Sequence, residues 1–587
     1  LLREALANST RRERRQLQRL GRLVADPAGR ELVQRLTDEV LRIRASRRAG
    51  RRFAAVVTEH RLPDSLGHID RSLMAVGARL APLIPQVIMP LVRRRILAET
   101  KGVVLPAEDP RFAAHAERRR RAGIGLLVNP LGESILGNDE ATRRVEQVLE
   151  KLGRDDVHAV SIKVSALVAN LDALDFDRSI ERICEPLREI CRAALRKRPH
   201  GFVNLDMEEY RDLQLTVVAF TKVLDEQEFK QLDAGIVLQA YLPDSHEVLE
   251  HLGEWAAARC RDGGAGIKIR LVKGANLAME AVEAELHDWI AAPYPTKADV
   301  DASYKLMLES ALRPEWNGSL RVGVASHNLF DVAWALVLRG RLPADQRARI
   351  ELEMLEGMAP AQSRAVRKVA GSLLLYAPVV QRDQIDASIA YLARRLDENT
   401  APENFLRSLF TITPGSPDFA EQADRFRRSV ADRHNVSTAR RRVAAAPTDA
   451  AFGNEPDSDP TDAVLRDRLR LAVEPPSARR EPVVVDDINE IDDIVRSAVA
   501  AQPRWAAIGD AERRRVLSTV VGVLRAERFD TVQVMADEAV KVAREGDPEV
   551  SEAIDFAKYY SSVGLDVLDH QRAEGADLSP RGVVVVA

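Results

Sequence analysis

Between about Gly125 and Ala377 the chain repeats one pattern: a short apolar run, then a polar residue, then a helical stretch. The runs are Leu126-Leu127-Val128, Ala159-Val160-Ser161-Ile162, Phe202-Val203-Asn204-Leu205, Ile236-Val237-Leu238, Ile267-Lys268-Ile269, Val322-Gly323-Val324, Ile350-Glu351-Leu352 and Leu373-Leu374-Leu375. Strands alternating with crossover helices over about 250 residues are the pattern of an α/β, TIM-like (β/α)8 barrel. A doubly wound sheet competes, but no glycine-rich fingerprint follows the first run. The barrel is the expected fold class.

The rest of the 587 residues lies around this block. Residues 1–120 read as a helical arm and linker, with amphipathic spacing at Leu32, Val33, Leu36, Val40, Leu41 and Ile43. The Arg118–Arg121 cluster reads as a solvated helix face or an anchor to the next domain rather than a basic patch. The barrel is expected over 121–411. Residues 412–484, which include AAAPTDAAFGNEPDSDPTD, read as a linker. Helices resume near Asp486 and run to Tyr560, ahead of a strand-like Arg581–Val586.

Composition removes some function classes. With 86 Lys+Arg against 89 Asp+Glu the net charge is -3, so no nucleic-acid partner is expected. The apolar stretch from Leu80 to Val92 is short and holds Pro82, Pro85 and Pro90, so it cannot span a bilayer. Cys184, Cys191 and Cys260 lack metal-ligand spacing; the first two read as buried thiols on one helix, and no metal site is expected. So few cysteines fit a reducing cytoplasm.

Barrel chemistry gathers at the C-terminal ends of the strands. Successive candidate strands lead to Glu133, Lys163, Asp206, Gln239, Arg270 with Lys273, Ser326-His327-Asn328, Leu355 and Tyr376. Any one of these fits a structural ion pair, but seven of eight ends carrying a polar, charged or phenolic group point to a site. After the eighth strand, Tyr391, Arg394, Arg395 and Glu398 stand at i, i+3, i+4 and i+7, on one face of a helix. Two adjacent guanidiniums suit bidentate capture of a carboxylate or phosphate, and Glu398 can fix their rotamers. An ordinary surface Arg–Glu pair has the same spacing.

The ordered set VSIKVSAL, NLDMEE, IVLQAY, IKIRLVKGA, ASHN, LLLYAP and YLARRLDEN resembles the proline dehydrogenase family over about residues 60–410. The resemblance implies a distorted barrel holding FAD, with the last helix lying over the flavin. It implies oxidation of L-proline to Δ1-pyrroline-5-carboxylate by hydride transfer to flavin N5, the first step of proline catabolism to glutamate.

By the same resemblance, Lys163, Arg394 and Arg395 hold the substrate carboxylate, and Asp206 supports the floor near Lys163. Leu355, Tyr376 and Tyr391 pack on the pyrrolidine ring, and Glu398 orients an arginine. Glu133 pairs with the first helix arginine as a gate. Gln239 and Arg270 hydrogen-bond the isoalloxazine; Val272, Lys273, Gly274 and Ala275 line it. Lys297 and Ala325, Ser326, His327 and Asn328 reach the rest of FAD. Three positions depart from the family pattern. Asn276 stands where many relatives carry an aromatic residue, the sequence changes after Met358, and Ser326 replaces a threonine.

Trp505, Ala511–Leu517, Glu549–Tyr560 and Pro580–Val584 resemble the N-terminal helices and an early strand of aldehyde dehydrogenases, so 485–587 is expected to be the start of such a domain. The order of modules is that of the bifunctional proline utilization A family, whose second site oxidises glutamate semialdehyde with NAD. The missing initial Met and the end within Gly582–Ala587 read as a fragment, with the thiol nucleophile and NAD contacts expected beyond Ala587. The resemblance implies a quinone acceptor at the membrane surface, hence a cytoplasmic protein peripheral to the inner membrane face, and leaves a homo-oligomer open. The alternatives are a monofunctional proline dehydrogenase with an unrelated tail, and a non-catalytic helical scaffold with a degenerate barrel.

Overall fold

The structure, a computed structural model, describes residues 1–14, 26–41, 43, 45–59, 62–63, 67–99, 104–108, 110–131, 135, 137–381, 405–408, 412–443, 452–474 and 484–585. The chain divides into two units. One holds Leu1–Leu171, Asp177–Leu277 and Pro293–Arg440; the other holds Asp172–Phe176, Ala278–Ala292 and Arg441–Ala587.

The first unit is built on eight parallel strands, β1 (Ile124–Pro130), β2 (Ala159–Lys163), β3 (Phe202–Asp206), β4 (Ala234–Gln239), β5 (Ile267–Val272), β6 (Leu320–Ala325), β7 (Ile350–Leu355) and β8 (Leu373–Val380). Each pairs with the next, and β1 closes onto β8 in register from Ile124↔Leu373 to Pro130↔Val379. A two-residue strand, Leu105–Pro106, adds outside β8. All eight expected runs lie on these strands. They read as unbroken apolar runs because helices cover the outside while side chains fill the inside, so neither face meets water.

Between the strands the chain forms α1 (Asn138–Gly153), α2 (Phe176–Arg196), α3 (Leu213–Leu224), α4 (Asp244–Arg261), α5 (Leu277–Leu286), α6 (Lys297–Ser310), α7 (Leu329–Arg341) and α8 (Pro360–Ala370), of which α5 from Ala278 onward belongs to the second unit. α2 shows why they are helical. Ile180, Ile183, Cys184, Leu187, Ile190, Cys191 and Ala194 are buried at i, i+3, i+4 and i+7 spacing. Its two cysteines are core side chains, and burial pushes the Cys191 thiol up to about 12.

The N-terminal region is helical, as expected, around a cluster of Leu32, Leu36, Val40, Phe53, Val56 and Met89. Of the arginine cluster, Arg120 and Arg121 pair with Glu117 on their own helix, while Arg119 bonds the buried Glu356 just past β7. The cluster is therefore half solvated face, half anchor. Residues 412–484 include two helices. α9 (Pro417–Asp432), capped by Ser416, lays Phe419 and Phe426 against Phe330 of α7, with ring centroids 5.3 and 5.8 Å away.

The second unit is a helical cluster around Val521, Val532, Val550, Ile554 and Ala557. Its buried Arg528–Asp547 pair also holds Ser458, whose backbone N–H donates to Asp547 at 2.6 Å. The helix Ile488–Ala507 buries none of its residues and exposes Ile488, Ile494, Val499 and Trp505. Arg581–Val585, read as a strand, is not one. A strand exists only where its backbone groups find a ladder partner, and none of the described residues pairs with it.

Candidate functional site

Contacts that cross from one side of the barrel to the other run through its interior, and at the C-terminal end these are polar. Asp206, the last residue of β3, is their centre. It accepts from Ser161 Oγ on β2 at 2.8 Å and from Asn204 Nδ2 at 3.2 Å. From β8 it takes the Tyr376 hydroxyl at 2.7 Å, and from β5 the Arg270 guanidinium at 3.5 Å. The guanidinium carbon lies 4.3 Å from the Tyr376 ring centroid, a cation–π arrangement. Asp206, Arg270 and Tyr376 are thus brought together by three strands, each residue less than a tenth exposed.

Arg270 has a second carboxylate, one that sequence reading did not pick out. Glu353 of β7 forms ion pairs with Arg270, 3.0 Å from Nε, and with Lys268, 2.9 Å from Nζ. Lys268 also meets Glu351 at 2.8 Å. Room for this layer comes from β6, where a Cβ on Gly323 would lie 2.1 Å from Glu353 Oε1. Burial pushes the Glu353 carboxyl up, but Lys268 and Arg270 more than offset it and hold the group below its usual range. The signal was present in the sequence: Lys268-Ile269-Arg270 and Glu351-Leu352-Glu353 place matched charges at the strand period of two.

Lys163, in register with Asp206, forms an ion pair with Glu208, another residue not singled out from sequence. The Glu208 carbonyl accepts from Gln239 Nε2 at 3.2 Å and from Asn276 Nδ2 at 3.0 Å. Asn276, where an aromatic residue was the family expectation, thereby ties the loop after β5 to the loop after β3. Gln239 is 3% exposed, and its Oε1 has no partner among the described residues.

The loop Val272–Ala275 is held by backbone bonds from Ala240 to Val272 and from Tyr241 to Lys273, both 2.8 Å. Gly274 has φ of 119°, which side-chain-bearing residues rarely adopt, and a Cβ there would lie 2.4 Å from the buried Tyr241 ring. Lys273 pairs with Asp301 at 2.5 Å and Asp331 at 2.8 Å; Lys297 shares Asp301 and Lys305 shares Asp331. Three ammonium groups against two carboxylates leave one positive charge in excess. Burial and the neighbouring Lys273 lower the Lys297 ammonium to about 8, against the pull of Asp301.

Beyond β6, Ser326 Oγ donates to Asp331 at 3.2 Å and accepts from the Asn328 N–H at 3.1 Å. Asn328 caps α7 by accepting from the Phe330 N–H. His327 Nε2 accepts from the Leu355 N–H at 2.9 Å, which assigns the ring proton of a neutral imidazole to Nδ1. Ala325 is the last residue of β6, and Leu355, at the end of β7, is in register with Tyr376. The structure therefore gathers Lys163, Asp206, Gln239, Arg270, Leu355 and Tyr376 at strand ends, with Lys273, Lys297 and Ser326 in an adjoining charged cluster. Glu133, Tyr391, Arg394, Arg395 and Glu398 lie outside the described residues. No helix among the described residues is long and apolar enough to cross a membrane.

The proline dehydrogenase family profile matches residues 112–408, and the aldehyde dehydrogenase family profile matches 481–586. The bifunctional protein PutA of Klebsiella aerogenes is 24% identical over 514 residues, covering 78% of this chain and 38% of that protein; that of Escherichia coli K12 is 24% identical over 505 residues, covering 76% and 37%. Among solved structures, proline utilization A from Corynebacterium freiburgense is 40% identical with a TM-score of 0.69, covering 84% of this chain and 48% of that one. The Bdellovibrio bacteriovorus protein, inactivated by N-propargylglycine, shares the fold at 23% identity and a TM-score of 0.73, covering 95% and 58%. The chain spans under two fifths of the length of these curated relatives. With its matched barrel accounting for half of its residues, ahead of an aldehyde dehydrogenase segment as in bifunctional proline utilization A, the chain belongs to the proline dehydrogenase family.

Proposed function

We propose that the barrel oxidises L-proline to Δ1-pyrroline-5-carboxylate with FAD as its redox group. The observation that carries this reading is the polar floor of Asp206, Arg270 and Tyr376 beside a strand-end lysine, at the barrel face where (β/α)8 enzymes act.

The residues present fit a flavin. The orphaned, buried Gln239 Oε1 calls for an N–H donor, which an isoalloxazine edge supplies. The net positive Lys273–Lys297–Lys305 cluster suits a diphosphate. Bound there, FAD supplies the two-electron acceptor that no side chain can provide.

The chain's own residues bind and orient. Glu208 holds Lys163 in position, so its ammonium can share or exchange that partner for the substrate carboxylate. Arg394 and Arg395 close on the same carboxylate in this reading, with Glu398 setting their rotamers and Tyr391 and Leu355 bounding the ring. Glu133 pairs with the first of them over bound substrate. Tyr376 presents a ring whose hydroxyl is fixed by Asp206, so it cannot swing away. The pyrrolidine nitrogen must be uncharged for electrons to leave its carbon, and the bulk provides that proton exchange. Misplacement by about 1 Å costs on the order of 100-fold in rate, which is why so many groups serve orientation.

For the whole protein we propose NAD-dependent oxidation of glutamate semialdehyde by the aldehyde dehydrogenase module, and a quinone at the inner membrane face as final acceptor. The barrel reading is tested by anaerobic titration of FAD-reconstituted protein with L-proline. Flavin absorbance should bleach stoichiometrically. Protein that stays colourless with added FAD, or coloured protein that L-proline leaves oxidised, overturns it.

A further inference from the structure

Arg270 touches carboxylates from two different strands, Asp206 on β3 and Glu353 on β7. The two contacts are unequal. Asp206 accepts a long hydrogen bond from Nη1 at 3.5 Å, whereas Glu353 stands closer as an ion-pair partner, 3.0 Å from Nε with side-chain exposure of 0%. Glu353 cannot retreat: Lys268 grips it at 2.9 Å, and the missing Cβ of Gly323 fixes the space it fills. With the Tyr376 ring 4.3 Å from the guanidinium carbon, the ion pair with Glu353 draws the Nε edge of Arg270 toward β7.

We propose that Glu353 is a positioning residue for the redox chemistry, setting the orientation of Arg270 and offsetting its charge at the flavin site. The inference rests on the FAD reading above. Its chemistry follows from the charges: an arginine beside a reducible ring favours the electron-rich form, and a buried carboxylate ion-paired with that arginine moderates the effect. Glu353 would then fix both the direction of the guanidinium and the potential at which electrons are accepted. Lys268, which also has Glu351, keeps Glu353 ionised without itself reaching the floor.

The test uses the full chain reconstituted with FAD: wild type, Glu353→Gln, and the Lys268→Met/Glu353→Gln double variant, which loses one buried charge of each sign. Flavin absorbance, reduction potential, and bleaching by L-proline at several concentrations are measured. Glu353→Gln should keep its flavin, shift the potential upward, and bleach at least tenfold more slowly at saturating L-proline, with KM changed by less than about threefold. A slower reaction despite greater driving force is the signature of lost orientation. The double variant covers the case in which the single one fails to fold: it should bleach equally slowly with a potential near wild type, because the net charge is unchanged. Wild-type bleaching in either variant, or slow bleaching of Glu353→Gln at an unshifted potential, overturns the inference while leaving the flavin reading intact. A wild-type chain that takes up no flavin overturns both.

Discussion

The Tyr376 hydroxyl donates to Asp206 Oδ2 at 2.7 Å, joining the last strand of the barrel to the third across its interior. The same ring carries the Arg270 guanidinium on its face. One phenol thus couples an anion and a cation that otherwise touch only at 3.5 Å.

Removing that hydroxyl separates its two duties. Tyr376→Phe keeps the ring under Arg270 but takes one donor from a buried carboxylate that retains Ser161 and Asn204. We expect a stability loss of about 1–2 kcal/mol in denaturant unfolding. We expect kcat/KM for L-proline to fall about tenfold, on the order of 1.4 kcal/mol of transition-state stabilisation. Unchanged values for both would show that the hydrogen bond is idle.

Gly274 is constrained twice, by its φ of 119° and by the Tyr241 ring, which is 3% exposed and has nowhere to go. Gly274→Ala should cost about 1–3 kcal/mol of local strain, released by moving the loop. Weaker FAD binding, read by flavin fluorescence on titration, is the expected outcome. Wild-type affinity would mean that the loop does not line the cofactor.

Arg395→Met tests the residue pair that lies outside the described residues. Losing one guanidinium from the carboxylate clamp should lower the rate of bleaching by L-proline about 100-fold while the flavin colour stays. Normal bleaching in stopped-flow traces contradicts the clamp.

His246 of α4 gives a pH dependence away from the site. Burial lowers its imidazolium to about 4, with Glu250 opposing weakly, and Nε2 meets Ser303 Oγ at 2.9 Å. Because the folded value lies below the unfolded one of about 6.5, this contribution to stability is complete above pH 6.5 and is lost as the pH falls toward 4. At pH 5 the loss is on the order of 2 kcal/mol. Urea unfolding at pH 7.5 and 5 should show it, and His246→Gln should flatten that part of the profile. An equal pH slope in the variant would assign the effect elsewhere.

The barrel strands were legible residue by residue because burial on both faces writes a strand as a continuous apolar run, and eight such runs at crossover spacing admit few arrangements. Their polar ends were legible too: Asp206, Arg270 and Tyr376 could be named one at a time from the rule that chemistry sits at the strand C-termini. What each of them touches could not be read. Glu353 went unnoticed because a charge inside a strand looks like a solvent-facing residue until β5, two strands away in the sheet, brings its partners, and Lys268 and Arg270 lie more than 80 positions earlier in the chain. Glu208 was hidden by its loop, and the end segment Arg581–Val585 had the composition of a strand without a neighbour to make it one. Local pattern decides which residues become strands and helices, since it depends on side chains a few positions apart. Closure of β1 on β8 decides which charges meet, since that depends on pairing between strands about 250 residues apart in the chain, and only the folded barrel brings them within hydrogen-bond reach.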